Sequence, residues 1–71
     1  MEQNEFGLTF KIEGVGYVKG NRQKNLHGAK SVAGKAFHQP HCISVCVYDA
    51  KGVARLYLKR IEGGYIREER N

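Results

Sequence analysis

The chain has no tryptophan, one proline, two cysteines and seven acidic residues against twelve basic ones. Each shortage excludes something. With no Trp and three Phe, a core in 71 residues must draw on nearly every Leu, Ile, Val and Tyr. A chain of this size retains only ~3–5 kcal/mol of net stability, so it has no apolar residue to spare. Two cysteines make no disulfide framework. No apolar run approaches the ~20 residues of a membrane span, and the acidic start from Met1 to Glu5 does not read as a signal peptide, so a cytoplasmic protein with no membrane contact is expected. The carboxylates are sparse and mostly terminal. Only Glu13 and Asp49 fall inside the patterned region, which leaves no pair for general acid–base work. No enzyme and no cofactor is expected.

The charge that is present is unevenly placed. Residues 11–61 carry ten Lys and Arg against Glu13 and Asp49, or +8, whereas both ends are net acidic. A basic middle of this kind meets phosphate, or a protein surface that itself handles phosphate. The plain alternative is a solvated basic surface, which is the ordinary reading of any single lysine.

Taken as one domain over 1–71, with 1–5 and 68–71 expected to fray, the chain alternates first. Phe6, Leu8, Phe10 and Ile12 fall on one face and Thr9, Lys11 and Glu13 on the other, which reads as a half-buried strand. Gly14 and Gly16 then mark either a hairpin, with 15–19 running back, or a bulge in one long strand; the hairpin is preferred. Their spacing is not that of a phosphate-binding glycine loop, and no helix follows directly. Asn25 is placed to cap a helix over 25–37, whose Leu26, Ala29, Val32, Ala33, Ala36 and Phe37 form a stripe at three-to-four spacing. Pro40 prevents continuation.

Cys42–Asp49 and Val53–Ile61 are β-rich, joined by Asp49-Ala50-Lys51-Gly52, a turn signature with Asp first and Gly in the left-handed position. Two rules conflict here. The turn alone pairs Asp49 with Val53 and sets Val45 opposite Tyr57, while the apolar pattern prefers Val45 opposite Leu56. A one-residue slip exchanges faces, so the side occupied by Arg55, Tyr57 and Lys59 stays open. Gly63-Gly64 turns the chain again, and 65–67 reads as a short edge strand. The expected class is α+β: a small antiparallel sheet of four or five strands with one helix packed on it, in the order ββαβββ or βαβββ.

The densest metal-capable set is His38, His41, Cys42 and Cys46, which would suit tetrahedral zinc. Four residues of extended strand span roughly 13 Å, which keeps Cys42 and Cys46 from one ion; two reduced, buried thiols are the expectation. The remaining signal is basic residues interleaved with tyrosine. The candidate binding residues are Lys19, Arg22 and Lys24 before the helix, Lys30 and Lys35 on it, and Arg55, Tyr57 and Lys59 in the hairpin. No helix-turn-helix, zinc-finger or RNP-type motif accompanies them, so backbone binding without sequence readout is the form allowed.

The run Asn25-Leu26-His27-Gly28-Ala29-Lys30, followed by Ile43–Gly52 and by Lys59 and Gly63-Gly64-Tyr65, resembles small bacteriophage and prophage proteins. In these an Asn-Leu-x-x-Ala-Lys helix leads into a hairpin with an Asp-x-x-Gly turn; some anti-CRISPR proteins against multi-subunit surveillance complexes are similar. The resemblance spans 25–66. It implies a non-enzymatic inhibitor in the cytoplasm of a bacterial host, keeping a CRISPR-type nucleoprotein complex from its target DNA. A basic member would do so by touching acidic loops, bound RNA or nearby DNA. Two alternatives stand beside it: a sequence-tolerant nucleic-acid-binding module, and a zinc-stapled interaction domain.

Overall fold

The computed structural model describes residues 5–70, in the order β1 (Gly7–Ile12), β2 (Gly16–Lys19), α1 (Leu26–Phe37), β3 (Cys42–Tyr48), β4 (Ala54–Ile61) and β5 (Gly64–Glu69). The strands form one antiparallel sheet in the spatial order β2-β1-β3-β4-β5, with α1 packed over β3 and β1. This is the expected α+β class, with the hairpin rather than the bent strand at Gly14. Residues 1–4, where most of the expected N-terminal fraying falls, lie outside the described residues, as does Asn71.

The helix starts where its cap dictates. The Asn25 side chain accepts the Gly28 N–H at 2.7 Å, satisfying one of the first-turn donors that have no partner within the helix. Ala29, Ala33 and Phe37 face the sheet and are buried, whereas Val32, also expected in the apolar stripe, is exposed. Two alanines at four-residue spacing let the helix backbone lie close on β3. At the other end, the Arg60 guanidinium donates to the Phe37, Gln39 and Cys42 carbonyls at 2.6, 3.4 and 3.2 Å. It thereby closes the helix C-terminus and also lies 4.7 Å from the centroid of the Phe37 ring.

Leu8, Ala29, Ala33, Phe37, Cys42, Val45, Val47, Leu56 and Leu58 form the core, with Phe6, Phe10, Ile12 and Leu26 packed against it. The β3–β4 register that achieves this is neither of the two expected. Asp49 does pair with Val53, its N–H reaching the Val53 carbonyl at 3.0 Å as the turn requires, and Tyr48 lies opposite Ala54. A bulge at Arg55 then adds one residue to β4, so that Val47 faces Leu56 and Val45 faces Leu58. Turn and apolar pattern are both satisfied, each over its own part of the hairpin. A second bulge, in β3 opposite Ile12, turns Cys42 into the core rather than onto the outer side with Ser44 and Cys46.

The chain end is also more ordered than expected. Glu68 and Glu69 pair with Tyr57 and Leu56, and the Arg70 N–H donates to the Arg55 carbonyl at 2.9 Å. Lys30 of α1 forms an ion pair with Glu69, and Arg67 bonds the same carboxylate at 2.9 Å; Glu68 and Glu69 thus complete β5, and Arg70 follows it still bonded to β4.

Candidate functional site: the uncovered face of the sheet

Among the described residues one helix covers one side of the five-stranded sheet and no element covers the other. Strand alternation decides which residues stand there. Leu8, Phe10, Val45, Val47, Leu56 and Leu58 face α1, so Thr9, Lys11, Ser44, Cys46, Tyr57 and Lys59 face away. Following the register across the sheet gives one row, Lys19, Thr9, Cys46, Tyr57 and Glu68, and a neighbouring row, Tyr17, Lys11, Ser44, Lys59 and Ile66. The bulge at Arg55 thus settles the question left by the sequence: Tyr57 and Lys59 are on the open face.

Within those rows Lys11, Lys19 and Lys59 supply positive charge, and Tyr17 and Tyr57 supply rings. Tyr17 is 72% exposed, and the Lys11 ammonium lies 5.4 Å from its ring centroid. Lys11 and Lys59 stand two strands apart, roughly 10 Å. Tyr48 contributes a flat floor rather than a projecting ring. Its ring lies over Gly7, where an added Cβ would come within 2.7 Å of it, and its hydroxyl is 3.5 Å from Thr9 Oγ1.

The eight expected binding residues are distributed over the molecule rather than gathered. Lys19, Tyr57 and Lys59 share the open face. Arg55 leans on the turn, paired with Asp49 at 3.4 Å and donating to the Arg70 carbonyl at 2.9 Å, so its charge is neutralised in place. Arg22 and Lys24 flank Gln23, whose bridge to Phe6 runs the connection along the edge of β1 beyond β2. Lys30 and Lys35 ride on α1, on the opposite side of the sheet, with Lys30 held by Glu69. Lys11 and Tyr17, the latter one of the tyrosines interleaved with the basic residues, stand beside Lys19, Tyr57 and Lys59 although neither is among those eight. Their signal was the alternation itself: Lys11 sits on the polar phase of β1, and a hairpin at Gly14 returns Tyr17 beside it.

The candidate zinc ligands do not converge. Cys42 is buried under α1, Cys46 lies on the open face, and His41 sits near Glu13 at 3.7 Å in an exposed turn. Among the described residues no group of three or more His, Cys, Asp or Glu is placed to hold a metal ion. Burial raises both thiols above the ordinary cysteine range; for Cys42 the nearby Arg60 charge and a backbone hydrogen bond at Ser44 only partly oppose it. Both are therefore thiols, not thiolates, at neutral pH, and poor nucleophiles.

A recess of about 230 Å³ lies on the helix side, between the end of α1 and the β4–β5 hairpin, lined by Phe37, Leu58, Arg60, Tyr65 and Arg67 among others. Both arginines there are already engaged, Arg60 with carbonyls and Arg67 with Glu69, so the recess offers little free charge. Among the described residues no helix is long and apolar enough to cross a membrane. No protein-family model, curated protein or solved structure matches the chain.

Proposed function

We propose that this protein is a non-enzymatic, sequence-tolerant binder of single-stranded nucleic acid, and that the uncovered sheet face is its binding surface. The observation that carries the reading is the juxtaposition of Lys11, Lys19 and Lys59 with Tyr17 and Tyr57 on one side of a sheet. Lysines at strand spacing meet successive phosphates, and the tyrosine rings give unpaired bases a surface to stack on. A duplex hides those base faces, so single strands bind more tightly. Without an array of amide or guanidinium groups aimed at base edges, the face reads little sequence.

The test is an anisotropy titration of labelled single-stranded RNA, single-stranded DNA and duplex DNA over a salt series. Three phosphate contacts predict a slope of log affinity against log salt of about −2 for single strands. Lys11→Glu, Lys19→Glu and Lys59→Glu together remove binding while leaving the circular-dichroism spectrum and melting unchanged. Absence of binding at low salt, or full binding by the triple variant, contradicts the reading.

A second reading is favoured by Ile61 and Ile66, which are 45% and 41% exposed beside Lys59 on the same side of the sheet. Apolar residues next to lysines suit a surface that is part protein and part nucleic acid. On that reading the chain is an anti-CRISPR-like inhibitor in the cytoplasm of a bacterial host, occluding target DNA by gripping a nucleoprotein complex. Pull-down with surveillance complexes separates the two. Recovery of a complex, with free nucleic acid bound weakly, favours the inhibitor; strong free binding with no complex recovered favours the direct binder.

A further inference from the structure

β5 forms one edge of the sheet, and all six of its residues are exposed. The Arg70-to-Arg55 bond fixes the phase of its pairing with β4. Opposed residues in an antiparallel pair alternate between bonded and non-bonded, so Glu68, Ile66 and Gly64 bond to β4 in step with Arg70. Tyr65, Arg67 and Glu69 therefore direct their backbone N–H and C=O groups away from the sheet. This edge contains no proline, and its pairing with β4 contains no bulge, so two common protections against strand addition are absent. The opposite edge is shorter: β2 has four residues, and the chain leaving it continues along β1 only as far as the isolated Phe6–Gln23 bridge before entering α1.

We propose that β5 pairs antiparallel with β5 of a second copy of this chain, about a two-fold axis at Ile66, making one continuous ten-stranded sheet. The sequence of the edge selects both the partner and the register. Only Tyr65, Arg67 and Glu69 can form the bonded pairs, which restricts where the axis can fall. An axis at Arg67 sets two arginines face to face, and one at Glu68 sets two glutamates face to face; like charges directly opposed are destabilising. An axis at Tyr65 leaves only three residues of each strand paired. The axis at Ile66 pairs five residues of each strand and opposes no like charges. Tyr65 faces Arg67 twice on the helix side, and Glu68 faces Gly64. Ile66 meets its counterpart on the open side, in a non-bonded pair where the strands approach to about 4.5 Å between Cα atoms. That contact covers the exposed Ile66. It also doubles the open face, so that Lys59 of each copy flanks a shared centre.

Sedimentation equilibrium tests the proposal through mass. From micromolar to millimolar concentration the apparent mass should rise from the 8.0 kDa of one chain toward that of two. Ile66→Lys, which opposes two ammonium groups at the axis, should abolish the rise while leaving the circular-dichroism spectrum unchanged. Ile66→Cys should form a disulfide-linked dimer on mild oxidation, because its two copies meet at the axis. Arg67→Cys, and the parent chain with only Cys42 and Cys46, should not. A parent that keeps the mass of one chain throughout overturns the proposal. So does an Ile66→Lys variant that still dimerises, or equal crosslinking at positions 66 and 67.

Discussion

Asp49 holds the β3–β4 turn with one carboxylate oxygen, which accepts the Lys51 and Val53 N–H groups at 2.9 and 3.0 Å, while the other oxygen meets Arg55. The bonds from Val53 and Lys51, with Arg55 beside them, hold its carboxyl below the ordinary aspartate value. Because the folded-state pKa is depressed, the contribution is complete above the unfolded aspartate value of about 3.9 and is lost as pH falls through the folded one. Glu69, lowered by Lys30 and then Arg67, follows the same sign. Asp49→Asn keeps a side-chain oxygen as acceptor but removes the titration. Melting temperature followed below pH 4 should therefore fall less steeply in this variant than in the parent; identical slopes would show that Asp49 does not couple to folding. At the helix start, Asn25→Ala should cost about 1 kcal/mol in urea unfolding, the ordinary loss for a cap of this type. Both residues were legible in the sequence because their chemistry is local, each bonding groups within six positions of itself. Arg60 was not. It looks like one more hairpin cation, and only the fold shows that its fork closes the end of α1. Arg60→Lys, a compact ammonium in place of a planar fork, should lower the melting temperature, whereas Lys59→Ala at the neighbouring position should leave it within experimental error.

Among the elements, the helix and the two hairpins follow from their capping residue, apolar spacing and turn residues, with bounds displaced by a residue or two. The β3–β4 register did not follow, and the reason is physical. The turn fixes pairing only near itself, and apolar alternation fixes only the parity of what lies beyond. A bulge reconciles the two at the cost of one unpaired residue, and Arg55, with partners in Asp49 and Arg70, can occupy that place. Sequence alternation carries no mark of it, so the side on which Tyr57 and Lys59 stand was unreadable. The order of β5 was hidden for a similar reason. Its bonds run to Lys30 and Arg55, which lie 39 and 15 positions from their respective partners. The core depends on this hairpin. Leu56→Ala removes a side chain only 2% exposed, and such truncations cost about 2–5 kcal/mol. That approaches the ~3–5 kcal/mol available to a domain of this size. Leu56→Ala should thus be largely unfolded at 37 °C by circular dichroism, while Val15→Ala, at an exposed turn, should melt with the parent.

For the molecule as a whole, the basic charge that the sequence concentrates in residues 11–61 is divided by the sheet. Arg60 and Lys30 stabilise the helix side, Arg55 the β3–β4 turn, and Lys11, Lys19 and Lys59 remain on the side that no helix covers. The central claim is that this uncovered side does the binding. It is tested most directly by titrating a short single-stranded RNA into isotope-labelled protein and mapping amide shifts by NMR. The perturbed amides should cluster on Thr9, Lys11, Tyr17, Lys19, Tyr57 and Lys59, and the shifts should shrink as salt is raised. Shifts confined to α1 around Lys35, or none at low salt, would contradict it.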